Sequence, residues 1–264
     1  MSKRSMINAT SRKKRDTMLC YSNTTAKAPN GGSTYLATDA VLTGGNAYIF
    51  PWVATARPAL HKTAALPGSI LEQSIRTATT CYMRGLKETI NMQFSSSAAW
   101  QWRRICFTQK GDFLLRQANS VAMFYDQETT GVQRVVNNAN GQQLGNSIVG
   151  LIFKGTQGVD WNNWCNAPTD TSQINVYYDK TRILQSPNSN GTTKTVKMWH
   201  PMNKNLVYGD KEIGDSGAYT PFSQDGRAGM GDYYVIDIIQ TQVGSTATDT
   251  LTWGPNATLY WHEK

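Results

Sequence analysis

The sequence predicts an all-β protein, a single jelly roll of two packed four-stranded antiparallel sheets with a basic N-terminal arm. Three observations lead there. Strand-length segments recur along the chain, separated by turns rich in Gly, Asn, Ser and Pro. The chain holds 8 Trp, 12 Tyr and 7 Phe but is only 17% charged, a mix that suits short strands better than a helical bundle. Roughly eight or nine strand segments can be counted, enough for two packed sheets and short of the dozen or so that a double protease barrel needs.

The N-terminus reads MSKRSMINATSRKKRD. Lys3, Arg4, Arg12, Lys13, Lys14 and Arg15 are cationic and the first acid is Asp16, so this stretch supplies most of the net charge of +8. A run of like charge repels itself and has little apolar area to bury. That predicts a flexible arm over residues 1–16 and a jelly-roll domain over 17–264. The arm can neutralise phosphates and release counterions, and SRKKR also reads as a nuclear import signal.

A strand is expected at 17–22. Ala47–Ala54 contains Tyr48, Ile49, Phe50 and Trp52, and Pro51 demotes it to an edge or a bulge. Ser69-Ile70-Leu71-Glu72 reads either as a capping box opening a short helix or as strand. Cys81–Phe94 alternates most cleanly: Leu86, Ile90, Met92 and Phe94 share one face, Lys87, Thr89, Asn91 and Gln93 the other, and Glu88 interrupts the apolar one. Trp100–Thr108 sets Ile105 and Phe107 opposite Arg104 and Cys106. Thr129–Asn146 reads as a long loop and Ile148–Phe153 as a strand buried on both sides. Ile174–Leu184 follows. Thr193–His200 then sets Val196, Met198 and His200 against Lys197 and Trp199. Tyr233–Val243 and Thr258–His262 close the chain. The intervening stretches 186–193 and 209–231 read as loops serving binding or subunit contact.

Several function classes find no support. No apolar run reaches membrane-spanning length, so no membrane partner is expected. The N-terminus lacks the apolar region of a secretory signal. Cys20, Cys81, Cys106 and Cys165 match no zinc spacing and read as free thiols in a reducing compartment. No dinucleotide or phosphate loop is present, so neither cofactor nor metal is expected. Gly214-Asp215-Ser216-Gly217, with His61 upstream and Asp112 and Asp126 between, follows the residue order of trypsin-like proteases. Ala218-Tyr219 replaces the Gly-Pro that usually follows there, and Gly, Asp and Ser favour turns, so the stretch reads as a turn and a Ser216 hydrolase is a rival reading only. Tyr and Trp at strand spacing are taken as core or interface in preference to base-stacking platforms.

SRKKRDTML at 11–19, CYMRGLKE at 81–88, WRRICFT at 102–108, VYYDKTRIL at 176–184 and WHPMNKNLVYGDKEIG at 199–214 resemble the capsid proteins of genomoviruses, small circular single-stranded DNA viruses. NKNLVYGDKE and NATLYWHE are more distantly similar to geminivirus coat proteins. The resemblance implies a viral jelly roll without enzymatic activity that self-assembles into a small icosahedral shell around a single-stranded DNA genome. It implies the host nucleus and the virion as locations, and the nuclear import machinery as a partner. It puts the nucleic-acid role on Arg12, Lys13, Lys14 and Arg15, with Lys3 and Arg4 in the same arm. Arg103, Arg104, Lys180 and Arg182 are further expected phosphate contacts on an inner surface, with surface ion pairing or a subunit interface as the alternative. Members of that family usually carry a longer Arg-rich arm ahead of a segment like MSKRS. A monomeric nucleic-acid-binding β module is the remaining rival.

Overall fold

Strands long enough to cross the domain build two antiparallel sheets in the computed structural model, which describes residues 9–263. In chain order the strands are β1 (Arg12–Met18), β2 (Cys20–Ser22), β3 (Ala40–Thr43), β4 (Ala47–Val53), β5 (Thr80–Phe94), β6 (Trp100–Gln109), β7 (Gln127–Glu128), β8 (Gly131–Val132) and β9 (Arg134–Val136). A helix, α1 (Gln143–Ile152), precedes β10 (Asn175–Leu184), β11 (Thr192–Val207), β12 (Lys211–Ile213), β13 (Ser216–Ala218), β14 (Asp232–Thr241) and β15 (Thr250–Glu263). The first sheet runs β1-β15-β5-β11, with β3 also on β15; the second runs β10-β6-β14-β4. Successive long strands mostly switch sheets, so most pairings join segments remote in sequence. The result is a jelly-roll-like all-β sandwich.

Period-two alternation sends one face of each first-sheet strand inward. Leu86, Ile90 and Met92 of β5 and Leu251, Trp253, Leu259 and Trp261 of β15 meet Phe50, Trp52, Trp102, Val235 and Ile239 of the second sheet. Trp102 and Trp253 pack edge to face, with ring centroids 4.9 Å apart. The second sheet is buried on its far side as well. There Ile49, Ile105, Phe107, Tyr234 and Ile236 pack against Leu144, Ile148 and Ile152 of α1 and against Phe153 and Trp161. Burial on both faces explains the almost unbroken apolar run of β14. Among the described residues nothing covers the first sheet in this way, and its outer face is open.

Four sequence expectations need correction. Ile148–Phe153 is the end of a helix and not a strand. Leu144, Ile148 and Ile152 recur at intervals of four and form the buried stripe, whereas a short apolar run read alone fits either structure. The expected loops at 129–146 and 209–231 contain β8, β9 and the start of α1 in the first case and β12 and β13 in the second. The boundary at residue 16 is too late, because Arg12–Asp16 are already strand, paired in register with Leu259–Glu263. The capping-box bond does form, Ser69 N donating to Glu72 Oε2 at 2.5 Å, but the chain there makes turns and no helix. Pro51 does sit on an edge strand, β4.

Candidate nucleic-acid interface

Alternation along β1 divides the basic motif. Arg12, Lys13, Arg15 and Thr17 are exposed, while Lys14, Asp16 and Met18 are buried. Lys14 Nζ lies 3.2 Å from Glu263 Oε2 and donates to the Ile75 carbonyl at 2.8 Å. Asp16 Oδ2 accepts from Arg57 at 2.7 Å. Lys14 is therefore held inside the protein, a correction to its expected role on nucleic acid: its charge is matched by Glu263, and burial would be costly without that match. Arg12 reaches the Ile70 carbonyl at 2.9 Å. Lys3 and Arg4 lie outside the described residues.

Arg103 and Arg104 are also turned to internal work. Arg103 makes a two-pronged pair with Asp179, at 2.8 and 2.7 Å, and donates to the Trp164 and Ala167 carbonyls. Arg104 sits between the sheets. It donates to both oxygens of Asp237, at 2.7 and 2.8 Å, and to Glu88. Arg134 bridges the same two acids at 3.1 Å each, and Trp102 Nε1 donates to Asp237 at 2.7 Å. Two guanidinium groups thus balance two carboxylates with essentially no solvent contact. Burial raises the Asp237 carboxyl, but the Arg104 and Arg134 charges overcome it and hold the group below its usual range. His200, 3.4 Å from Arg104, is lowered to about 4 by burial and by that same guanidinium. Both guanidinium groups are buried and paired with carboxylates inside the protein, which corrects the expectation for both. Lys180 and Arg182 do lie exposed, on the edge strand β10, Lys180 beside the Tyr178 ring and Arg182 over the Trp102 ring.

The structure gathers Lys13 and Arg15 with three cations that the sequence reading did not single out for this role, Arg84, Lys87 and Lys197. On the open face of the first sheet, the register places Arg15 opposite Tyr260 and Tyr260 opposite Gly85. The neighbouring row runs Thr17, Thr258, Lys87, Trp199, and the next runs Asn256, Thr89, Lys197. Lys13 stands opposite His262, and Arg84 donates to Asn203 Oδ1 at 2.6 Å. His262 is lowered from its ordinary value by partial burial and by the Arg84 and Lys13 charges. The acids of these strands, Asp16, Glu88 and Glu263, all point inward. Asp39 packs over Gly254, six residues or roughly 20 Å along β15 from Tyr260.

Ser216 lies in the β12–β13 hairpin, where its hydroxyl donates to the Ile213 carbonyl at 2.9 Å. His61 Nε2 is 3.2 Å from Glu72, and Asp112 pairs with Arg116 at 2.7 Å. No hydrogen bond joins Ser216 to a histidine among the described residues. Cys20, Cys81 and Cys106 are buried and Cys165 half-buried; burial raises the Cys106 thiol to about 12. Such thiols are poor nucleophiles at neutral pH.

No protein-family model matches this chain, and no curated protein matches it.

Proposed function

We propose that this protein is a viral capsid subunit that self-associates into a small icosahedral shell and packages circular single-stranded DNA. The observation that carries the reading is a jelly-roll-like sandwich whose open sheet face presents cations from three strands, β1, β5 and β11, and no carboxylate at the outward strand positions. A polyanion gains counterion release from such a face, and an acid-free surface adds no repulsion against it. The GDSG turn adds no hydrolase chemistry to this reading, and catalysis plays no part in it. Self-association draws support from apolar side chains on loops and on the β12–β13 hairpin. Leu71 is 87% and Val159 81% exposed, and Leu66, Ile70, Phe113 and Ile213 are also exposed. Burial of such groups between copies would drive assembly. With Lys14 turned inward, recognition of SRKKR by nuclear import machinery falls to Arg12, Lys13 and Arg15 together with Lys3 and Arg4.

Electron microscopy of the purified full-length chain, with and without single-stranded DNA, tests the reading. Closed shells support it. A DNA-binding monomer that forms no shell under any condition replaces it with the rival β module.

A further inference from the structure

We propose that the open face of the first sheet is a base-stacking site for single-stranded nucleic acid, in which Trp199 and Tyr260 take unpaired bases while Arg15, Lys87 and Lys197 hold the phosphates. The proposal rests on the polyanion-binding part of the reading above and is independent of shell formation.

Tryptophan placement is the first argument. Trp52, Trp100, Trp102, Trp253 and Trp261 are essentially fully buried, whereas Trp199 is 50% exposed on the polar outer face of the edge strand β11. Its position is built. The six-membered ring of the indole sits over Gly85, where an added Cβ would come within 2.6 Å of the ring and equally close to the His200 carbonyl. Any residue other than glycine would push the ring off the sheet. Tyr260 lies on the other side of Gly85 in register, and the two aromatic rings meet at 5.9 Å between centroids with a tilt of 57°. They form a tilted aromatic pair beside a glycine gap.

Charge is the second argument. Lys87 is the cross-strand neighbour of Trp199, and Arg15 that of Tyr260; Lys197 lies two residues before Trp199 on the same face. Arg15, Lys87 and Lys197 have no ion-pair partner among the described residues. Same-face positions two apart stand roughly 6.8 Å from one another along a strand, and neighbouring strands are about 4.8 Å apart. The cations thus lie within a side chain's reach of the rings on several sides. An aromatic surface ringed by unpaired cations fits a ligand that alternates flat faces with negative charge. Single-stranded nucleic acid has that chemistry. A duplex hides its base faces in the stack, and an anionic lipid surface has no flat faces to offer.

The test is equilibrium binding of the unassembled full-length chain to a labelled oligothymidylate, to the same oligomer lacking its bases, to a duplex of equal length and to phosphatidylserine vesicles. Trp199→Ala is expected to weaken oligothymidylate binding roughly 5- to 150-fold and to leave the abasic oligomer unchanged. Trp199→Phe should restore most of the loss. Lys87→Glu with Lys197→Glu should weaken both oligomers and lower the salt slope by about 0.7 per removed contact. Equal losses on the two oligomers, no loss in Trp199→Ala, or preference for duplex or vesicles over oligothymidylate overturns the proposal. If wild-type chains still form DNA-filled shells in that case, the proposed function stands without this site. A wild-type chain that ignores every polyanion overturns both.

Discussion

Substitution of Arg104 by Met probes the assignment of this residue to the interior. The wild-type cluster is neutral, with Arg104 and Arg134 facing Glu88 and Asp237. Arg104 supplies the shorter charged bonds to Asp237, at 2.7 and 2.8 Å beside the 2.7 Å bond from Trp102 Nε1, whereas Arg134 stands 3.1 Å from each acid. Arg104→Met therefore leaves two buried carboxylates sharing one guanidinium. Loss of one partner from a buried ion pair costs about 3–5 kcal/mol. At roughly 2–4 °C per kcal/mol for a chain of this size, Tm should fall by roughly 6–20 °C. Urea denaturation of the unassembled chain with parallel calorimetry measures both quantities. Adding Glu88→Gln to Arg104→Met removes the excess negative charge and should recover part of the loss. Arg182→Met, on the exposed edge, should change stability by about 1 kcal/mol or less. A loss below about 1 kcal/mol for Arg104→Met, or a fall in oligonucleotide affinity at unchanged stability, would refute the buried role.

Two pH predictions concern groups that act in opposite senses. His200 is depressed from 6.5 to about 4, so the unfolded chain binds its proton first. The stability this gives is complete above pH 6.5 and is lost as pH falls toward 4; His200→Gln should flatten that acid limb, at most roughly 1.4 kcal/mol per pH unit. Asp232 is raised from 3.8 to about 7 by burial, despite accepting bonds from Ser223 and Thr55. Its native form holds the proton longer than the unfolded chain, so its contribution is greatest below pH 3.8 and declines as pH rises to 7. Asp232→Asn should remove that decline and gain most, relative to wild type, near pH 8. Denaturant midpoints measured from pH 4 to 8 on both variants check the two signs.

Much of the sandwich was legible because alternation is a local property. The two faces of β5 could be read from the sequence, and Glu88 stood out as a polar interruption of the inner one. Its partners could not be read, because Arg104, Arg134 and Asp237 arrive from three other strands or loops. The same limit hid the burial of Lys14, whose partner Glu263 lies at the other end of the chain. A basic run has too little apolar area to fold by itself, but β15 supplies both the hydrogen-bonding edge and the counter-charge. Arg103 and Arg104 carried a warning: adjacent strand residues point to opposite faces, so at most one of them could face a genome on a single surface. Lys87, Lys197 and Trp199 were each assigned to polar faces from sequence. Only the register of β15-β5-β11 shows that those faces are one surface.

The central claim is that a cation-bearing β sandwich assembles with copies of itself around single-stranded DNA. Sedimentation of full-length chain mixed with circular single-stranded DNA, followed by nuclease digestion and imaging of the fast fraction, tests it most directly. The account predicts closed particles whose DNA survives digestion. Protein that sediments as single chains at low and high salt alike, leaving the DNA fully digestible, would contradict it.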